Sequence, residues 1–140
     1  MSTKKTCIAL LFMAGASSVF AADTPTSLVT GYAAEAAKET PGFTPSATRG
    51  NNFFTKEWGV SRKMPNCTAC HGKDLSADGK HVITDKRIAP VSPAVNPERF
   101  TNYKKVEKWF KRNCTEVIGR ECTAAEKADF IQFIVQEVKL

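Results

Sequence analysis

Cys67, Cys70 and His71 are the residues of this chain best equipped for chemistry. They stand in the run Cys67-Thr68-Ala69-Cys70-His71. Two thiols at this spacing can each add to a vinyl group of a haem, forming thioethers. The imidazole beside the second thiol is then held under the iron as an axial ligand. The same two thiols could form a redox disulfide or half a zinc site, so the reading needs support from elsewhere in the chain.

That support begins at the first residues. Lys4 and Lys5 precede a mostly apolar run from Cys7 to Phe20, and Val19-Phe20-Ala21 offers small residues for cleavage after Ala21. Residues 1–21 are therefore expected to be a signal peptide, leaving 22–140 as one exported, periplasmic domain. The run is too short for a membrane anchor, which needs ~20 apolar residues. No second apolar stretch is long enough to span a membrane, so the expected product is soluble. An oxidising compartment is what both thioether attachment and disulfide formation require. The chain has five cysteines. One leaves with the signal and two go to the haem, so Cys114 and Cys122 are expected to be bridged. Losing Lys4 and Lys5 with the signal lowers the formal charge from +6 to +4, and this basic balance points to an acidic protein partner and needs no nucleic acid to explain it.

A haem iron above His71 has a second face. Methionine is the common choice there, but Met1 and Met13 leave with the signal. Met64 is tied too close to Cys67 to reach the far side, and no methionine follows His71. The open candidates are His81, a lysine, Tyr103, Asn113, water, or nothing. Asn113 continues the helical stripe Val106, Trp109, Phe110, so a polar amide would sit on an apolar face, unless Asn113 simply ends its helix. An amide oxygen is a weak, hard ligand, suited to ferric iron and poorly suited to ferrous iron. Ferrous iron with an open face binds diatomic gases.

The elements that must position these groups read as helices. Thr24 or Thr26 with Pro25 opens one that ends before Pro41-Gly42 and carries Leu28, Tyr32 and Ala36 on one face. Ser46 opens a second over 46–58, which would put Phe54 and Trp58 on a shared face, toward the core or toward the haem. From Gly59 to Pro97 little regular structure and no strand is expected, and the loops are expected to pack on the macrocycle. Asn96-Pro97 begins a helical region. A firmer helix runs from about Asn102 to Asn113, with Trp109 and Phe110 as candidate haem-pocket residues. The basic stripe Lys104, Lys108, Lys111 lies on its outer side, as a docking face or as plain solvated surface. Thr123 and Glu126 form a capping box for a final helix with a wide apolar face. Pro90 or Pro93 is a candidate carbonyl for the His71 ring N–H.

The stretch from Phe54 to Phe130 resembles the SHP-type cytochromes c. The carrying residues are Pro65-Asn66-Cys67-Thr68-Ala69-Cys70-His71-Gly72, Asn96-Pro97-Glu98-Arg99-Phe100-Thr101 and, most densely, Lys105-Val106-Glu107-Lys108-Trp109-Phe110-Lys111-Arg112-Asn113-Cys114. The resemblance implies an all-α, class I cytochrome c fold wrapped around one covalently bound haem c. It implies His71 and Asn113 as axial ligands of the oxidised iron, with Asn113 leaving on reduction so that O2 or NO binds. It implies the Cys114–Cys122 disulfide beside the distal face, and a dihaem cytochrome c or a membrane cytochrome b as electron donor. Whether O2 or NO is turned over is left open. The alternative is a six-coordinate electron shuttle held by His71 and His81.

Overall fold

The computed structural model describes residues 22–137; the expected signal peptide, 1–21, lies outside the described residues. The element order is α1 (Pro25–Glu39), α2 (Ala47–Thr55), α3 (Thr68–His71), β1 (Gly79–Lys80), β2 (Arg87–Ile88), α4 (Tyr103–Ile118) and α5 (Ala124–Glu137). The fold is all-α apart from one small ribbon.

Capping residues set the helix starts. Thr24 and Ser27 bond reciprocally at the head of α1, with Pro25 in its first turn. Ser46 caps α2 and Asn102 caps α4. The Thr123 hydroxyl accepts from the Glu126 N–H at 3.2 Å, and the Glu126 carboxylate accepts from the Thr123 N–H at 2.9 Å. The capping box expected at α5 is therefore formed.

Helix α5 is the central post. Ala128, Ile131 and Ile134 on it are fully buried. One core joins Leu28, Val29 and Tyr32 of α1 to Val106, Phe110 and Val117 of α4 and Ile131 of α5. A second joins Phe54 of α2 to Phe133 and Ile134 of α5 and to Leu75 and Val91 of the long loop. Gly50 allows α2 to cross α5 at close range, since a Cβ there would stand 2.0 Å from the Asp129 carbonyl oxygen.

Several expectations are corrected. Helix α2 ends at Thr55, so Phe54 and Trp58 do not share its face. The Trp58 ring instead meets Phe53 edge-on at 5.6 Å, while Phe54 stacks on Phe130 at 5.6 Å. The 59–97 region holds a short antiparallel ribbon, with Gly79 opposite Ile88. Two-residue strands are too brief to leave an alternating pattern in the sequence. Residues 97–100 form turns, not a helix, and Phe100 closes them with a φ of +60°. Helix α4 runs past Asn113 to Ile118, where Gly119 in the left-handed region ends it. Cys114, Val117 and Ile118 extend its buried stripe.

Candidate haem site

The attachment run folds as a single tight turn of helix, α3, closed by Gly72 at φ +72°. Asn66 prepares it: its side-chain oxygen accepts from the Thr68 hydroxyl and from the Ala69 N–H. Cys67 packs where the two cores meet. Gly79 of β1 lies directly against the backbone of Cys70 and His71.

Cys67 and Cys70 carry free thiols. Burial, and secondarily the neighbouring Cys70, pushes the Cys67 thiol up to about 11. Reactive Cys-x-x-Cys thiols in disulfide oxidoreductases are shifted the other way. Burial, and then the charge of Arg99, pushes His71 down to about 4, which keeps its imidazole neutral. Its Nδ1 is buried and has no hydrogen-bond partner. A buried, neutral imidazole beside two free thiols fits a haem held by two thioethers and one histidine.

A cavity of about 640 Å³ opens in front of His71. Val91, Phe100, Val106, Trp109, Phe110 and Phe130 form its apolar wall. Phe54 stands behind His71, ring centroids 6.3 Å apart. Asn113 lines the same cavity, from the middle of α4. It is not the end of a helix, so the bland account of a polar residue on that stripe falls away. Met64 packs with the first core. His81 also lines the cavity, but its Nδ1 accepts from the Ile83 and Thr84 N–H groups at 3.3 Å each. Those bonds place the ring proton on Nε2, leaving no free nitrogen lone pair for a metal. Cys114 and Cys122 are bridged, with Cα atoms 5.7 Å apart.

Of the four expected pocket residues, Trp109 and Phe110 line the cavity. Trp58 sits against the first core instead. Pro90 acts indirectly: its carbonyl accepts from Asn96 and Arg99, not from His71. Arg99, on the cavity wall, was not singled out by its spacing. It lies in a turn without periodicity, among many basic residues.

Residues 41–134 match the family described as a domain of unknown function (DUF1924). The cytochrome c-type protein SHP of Cereibacter sphaeroides is 42% identical over 114 residues, 81% of this chain and 84% of that protein. The structure of oxidised SHP, an oxygen-binding cytochrome c, aligns with a TM-score of 0.70 at 42% identity, covering 81% of this chain and 96% of that one. The crystal structure of oxidised cytochrome c'' from Methylophilus methylotrophus aligns with a TM-score of 0.73 at 34% identity, over 79% of this chain and 92% of that one.

Proposed function

This chain belongs to the SHP-type cytochromes c and carries a covalently bound haem c, and from that premise we propose that it is an exported electron acceptor that binds a diatomic gas when reduced. The observation that carries the proposal is the placement of Asn113. It lies inside α4, on the wall of the cavity that His71 faces.

The residues divide the work. Cys67 and Cys70 would tether the porphyrin, and His71 would supply a ligand to its iron. Held there, the haem supplies a one-electron couple and, on an open face, affinity for small gases. Asn113 would supply its amide oxygen as a hard, weak donor, suited to ferric iron and poorly suited to ferrous iron. Val106, Trp109, Phe110 and Phe130 would keep the surroundings of Asn113 in the cavity apolar. The electron donor is an acidic-faced dihaem cytochrome c or a membrane cytochrome b. The location is the periplasm. Among the described residues no helix is long and apolar enough to cross a membrane.

The competing arrangement, ligation by His71 and His81, is disfavoured by the two N–H groups that occupy His81 Nδ1. The decisive experiment is an absorption spectrum of the dithionite-reduced holoprotein, with and without CO. A CO-dependent shift supports gas binding. A low-spin ferrous spectrum indifferent to CO overturns it in favour of a plain electron shuttle.

A further inference from the structure

Five lysines and arginines reach the cavity wall, and they are not equivalent. Lys86, Arg87, Lys105 and Arg112 are exposed. Arg87 pairs with Asp78, and Arg112 with Glu116. Arg99 alone of the five is drawn inward, and it forms no ion pair among the described residues. Glu98, its sequence neighbour on the same wall, does not bridge to it.

What holds Arg99 is backbone. Its Nε donates to the Pro90 carbonyl at 2.8 Å and its Nη2 to the Ala89 carbonyl. These bonds fix the plane of the guanidinium and leave Nη1 without a protein acceptor among the described residues. Asn96 donates to the same Pro90 carbonyl at 3.1 Å, so the clamp is braced from both sides. Neutral carbonyls satisfy N–H groups but do not cancel charge. A half-buried cation without a counterion is costly, and burial accordingly pulls the Arg99 guanidinium below its ordinary value. The planar fork that remains is shaped for a carboxylate.

We infer that Arg99 holds a carboxylate inside the cavity, either a propionate of the haem or a small carboxylate from solution. The inference rests on the haem reading above, but not on gas binding. Arg99 would then do two things at once. It would orient the cofactor's edge, and the carboxylate would offset the positive charge that Arg99 places near His71.

The test uses holoprotein whose haem propionates carry 13C at the carboxyl carbon, read by redox-difference infrared spectroscopy. Arg99→Met should move a labelled carboxylate band toward its position in solvent-exposed haem, while Lys105→Met should leave it in place. The wild-type reduction potential should then be indifferent to added acetate. If the labelled bands are the same in wild type and Arg99→Met, but acetate shifts the wild-type potential and not that of the variant, the carboxylate comes from solution. If neither response occurs, the assignment of Arg99 is overturned, and the CO response still reports on gas binding separately. Arg99→Lys covers the case in which the methionine variant does not mature. It keeps the charge and loses the fork, so labelled bands and acetate response both identical to wild type would equally overturn the inference.

Discussion

Gly79 stands against the backbone of Cys70: a Cβ at residue 79 would lie 2.3 Å from the Cys70 carbonyl oxygen and 3.0 Å from the His71 Cα. The near atoms are main chain, so they cannot rotate aside. Gly79→Ala must therefore displace either the ribbon or the attachment turn. The expected cost is about 1–3 kcal/mol, the range for overpacking a close contact. Urea unfolding of the holoprotein measures it, and an unchanged midpoint would mean that the ribbon moves away freely.

Asn113→Ala should convert most of the ferric protein to a high-spin or water-ligated form, visible in the absorption spectrum. The ferrous form should still bind CO, because its open face does not need the amide. His81→Ala is the control and should leave the ferric spectrum as it is. A ferric spectrum unaltered by Asn113→Ala would remove Asn113 as the ligand.

Much of this was legible in the sequence, because the signals were local. Thr24, Ser46 and Thr123 cap α1, α2 and α5 where their side chains announce caps, whereas α4 is capped by Asn102 and not by Asn96. The Cys114–Cys122 bridge follows from cysteine arithmetic. The end of α4 was misplaced because Asn113 resembles a stop, while the real stop is Gly119. Reading through to Ile118 changes the meaning of Asn113 from a terminus to a wall residue. Arg99 was illegible for a different reason. Its role depends on the Ala89 and Pro90 carbonyls, ten and nine residues away in a loop with no repeat. The ribbon was missed because its strands are two residues each.

The Cys114–Cys122 bridge closes a short loop, with a sequence separation of 8. Loop entropy predicts a stabilisation of about 2.5 kcal/mol for a ring of this size. The paired substitution Cys114→Ser, Cys122→Ser should lower unfolding stability by that order in urea. Both residues are buried beside α4 and α5, so the double variant should also loosen the distal wall. A loss well under 1 kcal/mol would show that packing alone fixes this corner.

Glu107 ties three helices together. It accepts from the Tyr32 hydroxyl at 2.6 Å and from Lys127 Nζ at 2.8 Å. Burial alone would push its carboxyl up, but the Lys127 and Tyr32 bonds outweigh that and hold it below the ordinary 4.5. The folded state therefore favours the ionised form. That stabilisation is whole above pH 4.5 and is lost as pH falls through the lowered value. Glu107→Gln should cost about 1.5–3 kcal/mol at neutral pH, the range for hydrogen bonds to a charged group. The difference from wild type should shrink on acidification. Stability curves against pH for both proteins provide the check, and a constant difference would contradict it.

The outer side of α4 carries Lys104 and Lys108, and Lys105 stands at the cavity rim beside them, all exposed and without ion pairs among the described residues. Lys111, expected to share their role, is engaged by Glu121 at 3.1 Å and contributes less. Beside them Trp109, 41% exposed, is both surface and cavity wall. This face thus brings positive charge and a ring in contact with the haem cavity to one place, where an acidic donor would need them. Steering by such a face raises association rates by roughly 10-fold or more at low salt and fades as the Debye length shortens to ~8 Å at physiological ionic strength. Reduction by an acidic donor cytochrome should slow steeply with added salt. Lys104→Glu with Lys108→Glu should slow it at low salt by about an order of magnitude, with little change in the reduction potential. Stopped-flow reduction across an ionic-strength series tests both. A rate indifferent to salt and to the charge reversal would show this face to be ordinary solvated surface.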